Sequence, residues 1–151
     1  MTRGDARELA VHLIYAREFT GEEPSQVIDT RLDKEYFTNL SEVCELYTQR
    51  PNGFERGYID KVVSGVSNRV DELNEIISKF SIGWDVSRIS RLTRAVLQLA
   101  IFEILYMEDV PEGVAISEAV RIAKLYDGDD TGAFVNGILG TFVRNKNCEV
   151  K

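Results

Sequence analysis

One segment of the chain, residues 95–106, is apolar on almost every side when it is drawn as a helix. A surface helix carries a single apolar stripe, whereas a helix that is apolar all round must be buried. Such a helix needs neighbours that cover its whole circumference. The segment therefore predicts a helical bundle with residues 95–106 at its centre, and it constrains the fold more than any other part of the sequence.

Apolar residues recur at the helical spacing of three to four positions along most of the remaining chain, and the alternation typical of strands is absent from the sequence. We therefore predict an all-α fold of about seven helices. The predicted helices cover residues 4–19, about 25–32, part of 33–52, 54–80, from Ser87 or Ser90 to about 106, 111–126, and from Asp130 or Thr131 to about 142.

A few residues set the predicted helix ends. Gly21 ends the first helix and Pro24 follows shortly, so Ser25 is expected to cap the second. The Arg-Pro-Asn-Gly sequence at 50–53 is a clear break before the long helix. Inside that helix, Gly65 is expected to permit close helix packing rather than to end the helix.

The sequence predicts neither a membrane segment nor a secretory signal. No window of 18 consecutive residues is apolar, and the first eight residues lack an apolar core. Cys44 and Cys148 lie far apart and fit no CxxC pattern, so free thiols are expected. These features predict a cytoplasmic protein that does not associate with membranes.

The net charge of the chain, −7, limits how it can bind nucleic acid. Nucleic-acid binders usually carry a basic surface that neutralises phosphates. An acidic chain can do the same only if its positive charges are segregated on one face. Strong, non-specific binding of nucleic acid by this chain alone is therefore not expected.

Residues suited to catalysis or metal binding are few. The single histidine, His12, lies within a predicted helix, and the sequence has no HExxH motif and no Cys/His cluster. Residues 127–132 resemble the start of a calcium loop, but its twelfth position, which must be a bidentate glutamate, is Ile138. We therefore predict that the protein is not an enzyme and uses no metal or cofactor.

The first helix carries two arginines, Arg3 and Arg7, one turn apart on one face. Asp5 and Glu8 dilute this positive charge. The pair is therefore either a contact for phosphates or an ordinary solvated helix face.

The last helix carries an aromatic residue, Phe134, near its start. The dipole of a helix favours a phosphate at its N-terminus, and an aromatic ring there can stack on an unpaired base. The alternative is a core role, because Phe134, Ile138 and Phe142 share one face of the predicted helix. Periodicity alone favours the core role.

Several short motifs occur in the order and at the spacing typical of one family. By these motifs the chain resembles the NusB transcription antitermination factors over most of its length, and only weakly over residues 33–53. The motifs are Ala6-Arg7-Glu8-Leu9-Ala10 with Leu13 and Tyr15, the segment 58–77 followed by Trp84, Arg94-Ala95-Val96-Leu97, Val110-Pro111 with Val114-Ala115-Ile116, and Phe134-Val135-Asn136-Gly137-Ile138-Leu139.

The resemblance implies a single NusB-like domain, residues 1–151, with helical subdomains at about 1–80 and 81–146. It also implies an antitermination factor that binds a short, single-stranded boxA-type RNA together with a small-subunit ribosomal protein, NusE. The complex would associate with RNA polymerase and other Nus factors. RNA tethered in this way has a high effective concentration at the polymerase.

The resemblance also implies roles for particular residues, carried over by position. Arg3 and Arg7 would contact phosphates. Phe134 would contact a base, with Asp130 beside the RNA. Tyr15 would lie toward the ribosomal-protein partner.

The sequence departs from the family pattern near the implied RNA-binding residues. Several positions that are basic or polar in the family differ here, and Thr93 stands at a position that is often acidic and tied to partner docking. Fewer cationic contacts predict weaker RNA binding with less dependence on salt. The other departures are Gly4 and Asp5 in the first helix, Gln98 in the central helix, Ser117, and Ala133 before Phe134.

A second hypothesis is a NusB-fold protein-interaction module, such as a homodimer, that has lost most of its RNA contact. The acidic total and the thinned basic helix favour this module, whereas the intact segment around Phe134 favours antitermination. The related helical domain of some ribosomal RNA methyltransferases is set aside, because the chain is too short to add a cofactor-binding α/β domain.

Overall fold

The computed structural model describes residues 1–41, 45–48, 50–81 and 89–149. These residues form eight α-helices and one short 3-10 helix, Glu45–Thr48, and no strand. The all-α prediction is confirmed, with one α-helix more than expected. The α-helices are α1 (Arg3–Thr20), α2 (Pro24–Arg31), α3 (Lys34–Leu40), α4 (Gly53–Asn68), α5 (Val70–Phe80), α6 (Arg91–Tyr106), α7 (Glu112–Asp127) and α8 (Asp129–Glu149).

The chain divides into two compact units, Met1–Asn68 and Arg69–Lys151. The sequence placed the boundary near residue 80, which would assign α5 to the first unit. In the structure α5 packs against α6 and α8 and belongs to the second unit. The observed boundary therefore lies about one helix earlier than the expected one.

The first unit is built around the packing of α1 on α4, with α2 against both helices. Its buried apolar residues recur every three or four positions along each helix, which is the spacing that predicted the helices. They include Leu9, Leu13, Val27, Ile28, Ile59, Val62 and Val66.

The second unit has α6 at its centre, in contact with α5, α7 and α8. The consecutive residues Ala95, Val96, Leu97 and Gln98 point in four directions round α6, about 100° apart, and all four are buried. The prediction of a central helix that is covered on every side is confirmed. A single residue, Gly128, separates α7 from α8.

The predicted helix of residues 54–80 is two helices, α4 and α5. They meet at Arg69, whose φ of −126° and ψ of 23° depart from helical values. The Arg69 guanidinium lies over the ring of Tyr106, with 4.3 Å between Cζ and the ring centroid. Gly65 lies buried within α4, so it is not the break.

Two predicted N-caps are wrong. Pro24 occupies the first position of α2 and Glu23 is the N-cap residue, so Ser25 lies inside the helix. Helix α8 begins at Asp129 because Gly128 makes the turn with a φ of 92°, so Asp130 and Thr131 lie in its first turn.

Among the helices of the described ranges, none combines the length and the apolar character that a membrane crossing needs. Some residues named from the sequence lie outside these ranges: Cys44, Trp84 and Ser87, together with the side chain of Cys148.

Candidate RNA interface

The structure brings Arg3 and Arg7 together against one aromatic ring, that of Tyr58 on α4. The distances from Cζ to the ring centroid are 4.4 Å for Arg3 and 5.8 Å for Arg7, both within cation–π range. Arg3 is half-buried, whereas Arg7 is only 4% exposed. Arg3 is therefore the better placed of the two to meet a ligand from solvent.

Asp5, one of the departures from the family pattern, has a structural role at the start of α1. The backbone N–H of Asp5 donates to Oγ1 of Thr2 at 3.0 Å, and the backbone N–H of Thr2 donates to Oδ2 of Asp5 at 3.2 Å. This capping box satisfies two N–H groups that the helix leaves unpaired. The acidic residue thus stabilises the helix that carries the arginines while lowering its positive charge.

Phe54, which the sequence analysis did not single out, lies beside Arg3. Its ring is 76% exposed, and Cζ of Arg3 lies 5.5 Å from the ring centroid. A signal for it was available in the sequence. Phe54 directly follows the Arg-Pro-Asn-Gly break, one turn ahead of the buried Tyr58, in a helical turn that has little apolar surface to bury.

Asp130 and Phe134 lie one turn apart on α8. Asp130 is exposed in the first turn, whereas Phe134 is 7% exposed and buried in its own unit. The unpaired N–H groups of a helix lie in its first turn, and Phe134 lies beyond that turn of α8. Asp129 and Asp130 make the first turn acidic. The structure therefore gives Phe134 the burial of a core residue, and its contact with RNA stays a prediction.

Tyr15, the predicted partner-binding residue, is half-buried near the end of α1. Its ring meets that of Phe19 edge-on, with the centroids 4.9 Å apart. Phe19 is 56% exposed. The two rings therefore present an aromatic edge to solvent, and a role in partner binding stays a prediction.

Thr93, at the position expected to be acidic, lies next to a carboxylate from another helix. Oδ2 of Asp127 accepts from the Thr93 hydroxyl at 2.5 Å and from the Ser90 hydroxyl at 2.7 Å. Oγ of Ser90 also accepts from the backbone N–H of Thr93 and thereby caps α6. The cluster joins the start of α6 to the end of α7 and places a carboxylate beside residue 93.

His12 is held inside the first unit rather than at a surface site. Its Nδ1 lies 3.1 Å from the hydroxyl of Tyr47. Burial lowers the pKa of His12, Glu8 opposes this shift and Arg31 adds to it. Within the described ranges, no group of three or more His, Cys, Asp or Glu side chains is arranged to hold a metal ion.

Comparison with known proteins gives one consistent family. Residues 4–144 match the profile of the NusB family. Two transcription antitermination proteins NusB are similar: that of Acetivibrio thermocellus is 40% identical over 97% of this chain and 91% of its own length, and that of Symbiobacterium thermophilum is 33% identical over 95% and 90%.

Solved structures agree with this result. T. maritima NusB has a TM-score of 0.70 and 28% identity, and the match covers 95% of this chain and 92% of that one. A NusB structure in complex with NusE and double-stranded RNA has a TM-score of 0.72, and the match covers 95% of this chain and 96% of that one. Its sequence identity to this chain is 24%, so this likeness is evidence for the fold. The chain belongs to the NusB family of transcription antitermination factors.

Proposed function

We propose that this protein acts in antitermination by binding a boxA-type single-stranded RNA together with the ribosomal protein NusE. The bound RNA is held near RNA polymerase and other Nus factors, where tethering raises its effective concentration. The protein works by binding, without catalysis, in the cytoplasm. Support comes from the family membership and from a protein of the same fold whose structure contains NusE and a double-stranded RNA.

The observation that carries the proposal is the placement of Arg3 and Arg7 on one ring at the start of α1. These are two of the residues that the family resemblance assigns to RNA. Tyr58 positions both guanidinium groups, so less side-chain freedom is lost when they meet a phosphate. Arginine also suits this role because its planar fork can donate two hydrogen bonds to one phosphate.

The test is fluorescence anisotropy of a labelled boxA-type RNA, titrated with this protein alone and then with NusE from the same organism. We expect sequence-dependent binding that tightens with NusE and weakens in Arg3→Gln. Arg56→Gln is the matched control, because Arg56 in the same unit is already paired with Asp29 and Asp60. Absence of binding with folded NusE present would refute the RNA role.

The second candidate function, a protein-interaction module such as a homodimer, has its own supporting observation. Acidic residues lie at each predicted RNA element: Asp5 on α1, and Asp129 and Asp130 on α8. Light scattering of the protein alone, read together with the RNA and NusE titrations, distinguishes the two functions. A dimer that binds NusE and no RNA would favour the module.

A further inference from the structure

Phe54 is the most exposed large apolar side chain among the described residues. Single exposed apolar residues are common on protein surfaces, so exposure alone assigns no role. A second feature of this ring is the arginine that lies on it. The guanidinium of Arg3 contacts two rings, with Cζ 5.5 Å from the centroid of Phe54 and 4.4 Å from that of Tyr58.

The backbone beneath Phe54 is fixed. Oδ1 of Asn52 accepts from the backbone N–H of Phe54 at 3.0 Å and from that of Glu55 at 3.3 Å. These bonds cap the start of α4, so the N–H groups of Phe54 and Glu55 are already used. The group that this end of α4 presents to solvent is the Phe54 ring, held by its capped backbone and by its contact with Arg3.

An exposed ring with a cation on it suits a particular kind of ligand. A base stacks on the flat ring, and the phosphate of the same nucleotide is attracted to the nearby guanidinium. An aliphatic protein side chain would use the ring but not the charge, and an acidic peptide would use the charge but not the ring. An unpaired nucleotide uses both, whereas a base in a duplex is already stacked.

We propose that Phe54 is a stacking platform for one unpaired base of the bound RNA, with Arg3 meeting an adjacent phosphate. The inference rests on the proposed RNA-binding function and adds to it a residue and a contact that the family resemblance does not assign. The platform lies wholly within the first unit, on α1 and α4.

The experiment compares Phe54→Leu and Phe54→Trp in RNA titrations with NusE present. The RNAs are boxA-type oligonucleotides that carry 2-aminopurine at successive positions, since stacking on an aromatic ring quenches this base. Leucine keeps the apolar character without the ring, and tryptophan keeps a stacking surface. Tyr36→Leu is the matched control, because it removes another aromatic ring of the same unit that has an arginine on it, with Cζ of Arg31 5.4 Å from the ring centroid.

We expect Phe54→Leu to bind RNA roughly 5- to 150-fold more weakly, which corresponds to the loss of one base stack. Quenching at one position should disappear in Phe54→Leu and persist in Phe54→Trp. Tyr36→Leu should leave RNA binding unchanged. Thermal melting verifies that each variant is folded, and the Phe54 variants should match wild type because Phe54 is so exposed.

Three results would overturn the inference. Wild-type RNA affinity and an unchanged quenching pattern in Phe54→Leu would remove the platform while leaving the RNA function intact. Loss of NusE binding by Phe54→Leu in an RNA-free pull-down would identify the ring as a protein contact. Failure of the wild-type protein to bind RNA, with NusE present, would remove both the platform and the proposed function.

Discussion

His12, the one histidine in the sequence, should make the stability of the protein depend on pH. Burial lowers its pKa in the folded protein below the ordinary value of 6.5, so the unfolded chain binds a proton more readily. The free energy of unfolding therefore falls as the pH drops from about 7 through the folded pKa. Above about pH 7.5 imidazole is almost entirely neutral in both states, so it contributes little slope there.

We predict that His12→Gln removes this part of the pH dependence. Urea unfolding, followed from about pH 7 to pH 5, should show a smaller loss of stability in the variant than in wild type. Carboxylates also titrate toward the lower end of this range, but they are common to both proteins and cancel in the difference. Parallel curves for the two proteins would show that burial of His12 does not affect its protonation.

At the scale of residues, the sequence predicted which side chains share a helix face better than it predicted what those side chains contact. The helical spacing of Arg3 and Arg7 indicated that they share a face, and the structure places both on Tyr58. The aromatic partner was not predictable, because it comes from α4, about fifty residues later in the sequence. The burial of Phe134 matches the core alternative that its spacing with Ile138 and Phe142 favoured.

At the scale of elements, Asp127 links the end of α7 to the start of α6 by hydrogen bonds. Its carboxylate accepts from the hydroxyls of Ser90 and Thr93, and Thr93 is buried. Removing the acceptor leaves a buried hydroxyl with a poorer partner. We predict that Asp127→Ala costs about 1–3 kcal/mol of unfolding free energy, measured by urea denaturation.

A double-mutant cycle tests whether this cost comes from the pair. Thr93→Val keeps the shape of the side chain and removes the hydroxyl, so Asp127→Ala should cost less in that background than in wild type. Asp109→Ala changes the same charge at an exposed site and should alter stability by less than about 0.5 kcal/mol. Additive costs in the cycle would contradict the proposed link.

Two glycines in the first unit should respond to alanine in opposite ways. Gly57 lies within α4 with open space where a Cβ would be, so Gly57→Ala should stabilise the helix by about 0.5–1 kcal/mol. Gly21 ends α1 with a φ of 70°, so Gly21→Ala should cost about 1 kcal/mol.

Thermal melting measures both changes. A rise in Tm for Gly57→Ala and a fall for Gly21→Ala are expected. The same direction of change in both variants would mean that helix propensity and backbone conformation do not determine their stability.

The sequence predicted where the helices occur more accurately than where they begin and end. Apolar periodicity continues from α4 into α5, so the pattern contains no sign of the break at Arg69. That break coincides with a tertiary contact, the stacking of Arg69 on Tyr106, which local patterns do not contain. The buried centre at α6 was predictable because its apolar character extends all round the helix.

At the scale of the whole molecule, the net charge of −7 restricts RNA binding to a few cationic contacts. Each phosphate neutralised on a single strand contributes about −0.7 to the slope of log K against log salt. With Arg3 and Arg7 as the contacts, we predict a slope of about −1.4 for the protein alone. Anisotropy titrations over a range of potassium chloride concentrations measure it.

The slope of Arg3→Gln is the internal check. It should be shallower by about 0.7, because one phosphate contact is lost, whereas Arg56→Gln should keep the wild-type slope. A wild-type slope several times steeper would mean that other cations carry the binding.

The two-part organisation of the chain was expected, but its boundary was not. The expected division near residue 80 followed the long apolar pattern of residues 54–80, which reads as one helix. In the structure Leu73 and Ile77 of α5 are buried in the second unit. Periodicity shows which face of a helix is buried, but it does not show which helices cover that face.

The one-residue connection at Gly128 limits where chains of this family can gain or lose residues. Successive residues of a helix are turned by about 100°. A connection of one residue has no room for an inserted residue between α7 and α8. The insertion would therefore rotate all of α8 and carry Phe134, Ile138 and Phe142 out of the core. Insertions and deletions should be far rarer at this point than in the longer connections, even where substitutions accumulate freely.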